Sequence, residues 1–236
     1  MNMYQSIISN RHITRLCHFT KTKNLPFILG NGEDSNNGIV ANQYITDLSF
    51  LEKIDQNRFD NHEDFICTSV QYPNCLYFST AISKNEENIF NEWVILEIDP
   101  SIINDNSKFC PVNAATKNGS LINSGVNSFE GLFDSVVSGK KEIKRNIFYP
   151  DNTPTNIQAE VLIYKMIDKS DIKGLIFPTK NIAQKECLRL ELCNIDLNEL
   201  TIKVSQDLFD KKRMLDLLNN GETPKERILN KEDYGL

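Results

Sequence analysis

The 236-residue chain carries six cysteines but no CxxC pair, and it has three histidines, one tryptophan, ten glycines and eight prolines. Each shortage excludes something. No histidine stands at metal-ligand spacing from Cys17, Cys67, Cys75, Cys110, Cys187 or Cys193, which argues against a zinc site, so no metal is expected. Nowhere do about 18 apolar residues run together, and the opening MNMYQSIISNRHITRLCHF lacks the apolar stretch of a signal peptide, so the sequence predicts a cytoplasmic protein without a membrane partner. Basic excess is missing too: 26 Lys and Arg against 32 Asp and Glu give a net charge of -6, and any nucleic-acid contact must be a local patch. There is no GxGxxG, Walker lysine loop, GxSxG elbow or HExxH. What is present is a 40% hydrophobic, 25% charged composition, enough for a real core and too ordered in pattern for a disordered chain.

Along the chain the pattern alternates between strand and helix signals without a repeat or linker. The reading is one α+β domain over residues 1–236, with its core at about 15–205 and a C-terminal helix and polar tail at 206–236. Strands are predicted at Leu16–Thr20, Phe65–Val70, Leu76–Ser79, Glu92–Ile98, Ala159–Tyr164, Lys173–Phe177 and Leu200–Val204, from period-two alternation or short apolar runs. Helices are predicted after a Thr22 cap, at Gly125–Val137, Lys180–Arg189 and Gln206–Asn219. Glu33–Asn61, rich in Asn, Asp, Gln and Gly, reads as a long active-site loop with a helical turn near Asp47–Leu51, and the tail after Gly221 is expected to fray.

Four segments look unlike ordinary core or surface. In RLCHFTKTKNLPFIL, His18 and Thr20 share one strand face. They are a core histidine and a β-branched strand residue, or else donors and acceptors for a ribose diol or carboxamide, with Asn24 in reach of the same ligand. In DQNRFDNHEDFICTSVQYPN, Arg58 is a solvated loop arginine or a guanidinium that holds a pyrophosphate or a reacting base through its planar fork. CPVNAATKNGS contains a small turn, Asn113–Ala115, that lets a ligand approach the backbone. In YPDNTPTNIQAEVLIY, Glu160 opens an otherwise apolar strand, where a carboxylate is costly unless it is paired or used. The cluster Lys140, Lys141, Lys144 and Arg145 is a solvated charge run or a phosphate-binding patch.

Taken in order, HFT then NLPFIL, NRFD before ICTSVQYPN, the WVILEID strand, NAAT and PTNIQAEVLIY, these motifs resemble the DarT family of bacterial toxins, which attach ADP-ribose from NAD to a base in single-stranded DNA. The resemblance runs from about Arg15 to Phe177. It implies an ADP-ribosyltransferase-like split β-sheet core with an NAD cleft and flanking helices. It also implies Arg58 and Glu160 as catalytic residues and His18, Phe19, Thr20, Asn24, Arg58 and Tyr77 as NAD contacts, Phe78 being the neighbouring candidate for the aromatic that stacks on nicotinamide. Lys140, Lys141, Lys144 and Arg145 become the expected DNA contacts. Further implications are a thymine or guanine acceptor, a toxin–antitoxin setting with a role in phage defence, an antitoxin of macrodomain or other glycohydrolase type that removes ADP-ribose, and a monomer. The alternatives are transfer to RNA or protein, favoured by the acidic pI, and an inactive NAD- or DNA-binding module, against which Arg58 and Glu160 both speak.

The chemistry suits these residue types. Loss of nicotinamide makes an oxocarbenium-like ribose, as in glycoside hydrolysis, and a carboxylate at the 2′-hydroxyl stabilises the transition state more than the ground state. A guanidinium remains protonated at any ordinary pH, so Arg58 suits orienting a base and stabilising its anion, and the acceptor of the base proton, Arg58 or Glu160, stays an open assignment.

Overall fold

A computed structural model describes residues 2–30, 37–45, 59–83 and 92–234. Its elements in chain order are α1 (Met3–Asn10), β1 (Leu16–Lys21), α2 (Leu25–Leu29), β2 (Gly38–Val40), β3 (Phe65–Val70), α3 (Cys75–Ser83), β4 (Trp93–Ile98), β5 (Lys108–Cys110), β6 (Asn123–Ser124), α4 (Val126–Glu130), β7 (Val136–Ser138), β8 (Glu142–Lys144), β9 (Glu160–Tyr164), β10 (Met166–Asp168), β11 (Ile172–Phe177), α5 (Lys180–Leu192), β12 (Thr201–Val204), α6 (Lys211–Asn219), β13 (Arg227–Ile228) and α7 (Lys231–Tyr234). The fold is α+β. Among the described residues nine strands form one sheet in the order β13-β12-β11-β4-β1-β3-β9-β5-β6, while β10 pairs with β2 and β7 with β8 in separate two-stranded ladders.

Neighbouring strands in the large sheet run antiparallel except β11 and β12, which are parallel. A parallel neighbour needs a crossover, and α5 supplies it: Thr179 caps its first turn by accepting from the Ile182 N–H, and Ala183, Cys187 and Leu190 bury its inner face. At the centre β1 pairs with β4 over all six of its residues but with β3 only at Leu16↔Val70 and Cys17↔Ser69. Beyond Cys17 the two strands part, and the sheet is split there.

The core reflects that split. One face carries a continuous apolar cluster that includes Leu16, Val70, Leu96, Val161 and Leu175. The other face carries two, one with Cys17, Phe78, Trp93, Ile95 and Ile176, the other with Phe65, Cys110, Ala114 and Leu162. Cross-strand partners share a face, so the register lays out one row: Gly174, Glu97, Cys17, Ser69, Glu160 and Cys110. That row puts three polar residues, Glu97, Ser69 and Glu160, on the face of the two smaller clusters.

Several sequence expectations are corrected. Leu76–Ser79 is not a strand but part of α3. Asn74 accepts from the Tyr77 N–H at 3.1 Å, a capping bond at N-cap-to-N3 spacing, and tertiary packing decides what a four-residue apolar run could not. Thr22 sits within a 3-10 turn, Thr22–Asn24, and makes no capping bond. The Gly125–Val137 helix stops at Glu130, and Val136 enters β7. The last helix begins only at Lys211, capped by Asp210, after a separate 3-10 turn at Asp207–Phe209. The loop expected at Glu33–Asn61 contains β2, which pairs with β10; its helical turn near Asp47 lies outside the described residues.

The tail after Gly221 is anchored. The Lys225 N–H donates to Asp207 at 2.8 Å, β13 joins the sheet edge, and Leu229 and Tyr234 are buried in the main core. Its strongest anchor is ionic. Arg15 Nη2 meets Glu226 Oε1 and Arg15 Nη1 meets Glu97 Oε1, both at 2.5 Å, and Lys203 Nζ stands 2.7 Å from the same Glu97 oxygen. Burial alone would lower the Arg15 pKa, but the neighbouring Cys17, Glu226 and Glu97 raise it well above the ordinary value. Burial and the charge of Glu97 push the Cys17 thiol up, against the pull of Arg15, to about 12. Gly174 makes the room: a Cβ there would stand 2.5 Å from Glu97 Oε2 and 2.7 Å from a backbone oxygen.

Candidate active site

Glu160 is 6% exposed and opens β9 between Ser69 of β3 and Cys110 of β5. A carboxylate so placed needs donors, and they converge on it from two turns. Asn113 Nδ2 donates to Oε1 at 2.9 Å and the Ala114 N–H to Oε2 at 3.3 Å. Asn74 Nδ2 reaches Oε1 at 3.4 Å from the turn between β3 and α3. The Asn113–Ala115 turn thus serves the glutamate directly. Burial, aided by the charges of Glu160 and Asp60 and opposed by the Val112 N–H, pushes the Cys110 thiol up to about 11.

His18 lies on β1 just where the strand leaves β3. Its Nδ1 is 3.0 Å from the Cys67 carbonyl oxygen, and a carbonyl can only accept. The proton is therefore on Nδ1 and, in the neutral ring, Nε2 is an acceptor. Cys67 is two residues along β3 from Ser69, Glu160's partner. By register His18, opposite Leu96, lies on the face of the continuous cluster and Glu160, in the Cys17–Ser69 row, on the other face. Thr20 and Asn24, 4% and 6% exposed, are joined by Asn24 Nδ2 donating to Thr20 Oγ1 at 2.9 Å. That bond fixes the end of β1 against the start of α2.

Phe19 points to the other face and joins an aromatic group on α3 and β4. Its ring stacks on Phe78 at 4.3 Å, with Tyr77 at 5.8 Å and Trp93 at 6.0 Å. Of the two candidate stacking residues Phe78 is spent in the core at 1% exposed, while Tyr77 is half-buried. Helical geometry, not strand register, separates them.

Lys140, Lys141 and Lys144 are exposed on the β7–β8 hairpin, and Arg145 is half-buried. Arg145 Nη1 donates to the Thr153 carbonyl at 2.6 Å and Nη2 to the Pro150 carbonyl at 2.8 Å; Arg11, over the Phe133 ring, donates to the Asp151 carbonyl at 3.4 Å. Burial and then the charge of Arg11 lower the Arg145 pKa. Two arginines thus brace the loop that leads into Glu160. Arg58 lies outside the described residues. Sequence reasoning missed Asn74, although its position after Tyr72–Pro73 and three residues before Tyr77 is an N-cap signal. Among the described residues no group of three His, Cys, Asp or Glu could hold a metal, and no helix is long and apolar enough to cross a membrane.

Solved structures share this fold. Thermosipho africanus DarTG in complex with ADP-ribose matches with a TM-score of 0.55 and 13% identity over 83% of this chain and 51% of that one, so this chain spans about half the length of the Thermosipho protein. Thermus sp. 2.9 DarT in complex with NAD+ matches with a TM-score of 0.55 and 14% identity, over 84% of this chain and 98% of the other. The same protein in complex with ADP-ribosylated ssDNA gives 0.56, 14%, 84% and 97%. At such identities these likenesses establish the fold. No curated protein matches the chain. The family model for DarT, ssDNA thymidine ADP-ribosyltransferase, matches residues 17–209. The chain belongs to the DarT family of ssDNA thymidine ADP-ribosyltransferases.

Proposed function

We propose that the protein transfers ADP-ribose from NAD to thymine in single-stranded DNA, with Glu160 as the carboxylate that stabilises the reacting ribose. The observation that carries this reading is the placement of Glu160, a buried strand carboxylate held by amide donors beside the split in the sheet. In the reaction the bond between the ribose anomeric carbon and the nicotinamide nitrogen breaks. Nicotinamide leaves with the bonding pair, the base forms the new bond to that carbon, and the proton the base gives up is released to solvent. Positive charge on the ribose peaks in between, where a fixed carboxylate at the 2′-hydroxyl is worth most. His18 Nε2 accepts from a ribose hydroxyl, Thr20 and Asn24 border the same ligand, and Phe19 with Tyr77 supplies the aromatic wall for nicotinamide. Arg58 orients the base and stabilises its anion.

A base is hidden in a duplex and open in a single strand, which accounts for the substrate form. Lys140, Lys141 and Lys144 bind phosphates of the strand, and Arg145 joins them through the loop it braces. The setting we propose is cytoplasmic: the protein is the toxin half of a toxin–antitoxin pair active in phage defence. Its partner is an antitoxin that removes ADP-ribose, of macrodomain or other glycohydrolase type.

The test is to incubate the purified protein with labelled NAD and, separately, single-stranded DNA, duplex DNA, RNA or bulk protein. Label retained on single-stranded DNA, and on oligonucleotides that contain thymine as the candidate acceptor, is the expected result. Label on RNA or protein alone, on guanine alone, or on none of them would overturn the corresponding part of the reading.

A further inference from the structure

We infer that Asn74 and Asn113 are positioning residues that clamp the Glu160 carboxylate through two carboxamides, keeping it ionised and in one rotamer while tying it to the helix that carries Tyr77. The inference rests on the reading of Glu160 given above and assigns a positioning role to the two side-chain donors that hold it.

Both asparagines use their side chains in the same way. The Asn74 Oδ1 accepts from the Tyr77 N–H at 3.1 Å, and the Asn113 Oδ1 accepts from the Ala115 N–H at 3.1 Å. With the amide oxygen spent on a peptide N–H, the amide nitrogen must face the other way. In each case what it meets is Glu160 Oε1, at 3.4 Å from Asn74 and 2.9 Å from Asn113. Flipping either amide would set nitrogen against a peptide donor and oxygen against a carboxylate, so the backbone fixes which end the glutamate sees. Amide donors aimed at one oxygen favour the charged form of the carboxylate and fix its direction.

Asn74 does more than donate. It is 2% exposed, its own N–H donates to Ser69 Oγ at 3.1 Å, and Ser69 is the β3 partner of Glu160. Its carbonyl accepts from the Phe78 N–H at 2.9 Å. One residue therefore links the strand beside the glutamate, the glutamate itself and the first turn of α3. A shift of that turn displaces the carboxylate and Tyr77 together. Among the described residues the titratable groups near the carboxylate include the Cys110 thiol opposite it on β5, the Cys67 thiol two residues along β3 from Ser69, and Asp60, which acts with Glu160 on Cys110.

Aspartate in place of either asparagine separates structure from positioning. Asp caps a turn as well as Asn does, so Asn74→Asp and Asn113→Asp keep the bonds to the Tyr77 and Ala115 N–H groups. Each sets a second carboxylate against Glu160, and two carboxylates sharing a site push one ionisation upward. The experiment is the pH dependence of kcat for transfer to a thymine-containing oligonucleotide, with KM for NAD, calorimetric NAD binding and Tm measured alongside, and with Glu160→Gln as control. The expected result is an acid limb moved up by about one pH unit or more in both variants, with NAD affinity changed less than about threefold. A role confined to capping would leave that limb where it is in the native protein. Acid limbs that coincide with the native one in whichever of the two variants folds, with Glu160→Gln inactive, would overturn the clamp and leave the reading of Glu160 intact. A Glu160→Gln protein that transfers at the native rate would overturn that reading itself.

Discussion

Glu97 and Glu160 occupy the same cross-strand row, on β4 and β9 with β1 and β3 between them, and each is 6% exposed. Three strand spacings put them about 14 Å apart along the sheet. Their surroundings differ in kind. Glu97 is gripped by two full cations, Arg15 and Lys203, on the side where the sheet is continuous. Glu160 is met by two carboxamides and a peptide N–H, beside the split. Ionic partners make Glu97 part of the scaffold, since a carboxylate bound to that much fixed charge has little left to offer a transient cation. Among the described residues the partners of Glu160 are amides, which hold the carboxylate in place beside the split.

The comparison can be broken in order of effect. Arg15→Ala leaves buried Glu97 and half-buried Glu226 with Lys203 alone, and stripping one member from a buried ionic cluster costs about 3–5 kcal/mol. Urea unfolding should show that loss while transfer per folded molecule stays near native; a native-like midpoint would mean that the cluster is not structural. Glu160→Gln should do the reverse, with transfer down about 100-fold to 1,000-fold and little change in unfolding. If instead it unfolds the protein and folded molecules transfer normally, the two glutamates have been assigned the wrong way round.

A pH scan sharpens the scaffold side. Burial raises the Glu226 pKa, but the Arg15 hydrogen bond and charge, and then Lys203, outweigh it and leave the group below its usual 4.5. A carboxylate with a depressed folded value contributes stability above the unfolded pKa and loses it as pH falls through the folded one. Below about pH 4.5 the native Tm should therefore drop more steeply than that of Glu226→Gln, and parallel curves would count against the tail anchor. On the cleft side His18→Ala should weaken NAD binding by about 1 kcal/mol, with kcat nearly unchanged. An unaltered calorimetric dissociation constant would return His18 to a core role. The smallest effect concerns the hairpin. Replacing Lys140, Lys141 and Lys144 with Gln should flatten the salt dependence of DNA binding by roughly 0.7 log unit for each phosphate left without a cation, and an unchanged slope would put the strand elsewhere.

The two glutamates also mark how far a sequence can be read. Both open or close apolar strand runs, EVLIY and WVILE, and the strands themselves were legible because β1, β3, β4, β9 and β11 repeat apolar residues with the periods of buried sheet. Partner type was not legible. Glu97 finds Arg15 from 82 residues away, and Arg15 finds Glu226 from 211 away, and no local pattern announces such pairings; the same blindness made the polar tail look loose. Aromatic and apolar density in CLYFST outweighed the Asn74 cap and turned α3 into an expected strand. The turn at Asn113 was visible as a tight backbone, yet its use, an amide aimed at Glu160, depends on β5 lying next to β9. Arg58 was read from the sequence, and its position lies outside the described residues.

Both margins of the large sheet are only two residues long, β6 at Asn123–Ser124 and β13 at Arg227–Ile228. A margin that short presents too few open peptide groups for another chain to add a strand. The tail thus does more than hold on to Arg15: by laying β13 against Lys203 and Val204 it covers half of the four-residue β12. A chain cut after Lys225 would expose that longer rim, and its first symptom would be self-association into strand-paired aggregates.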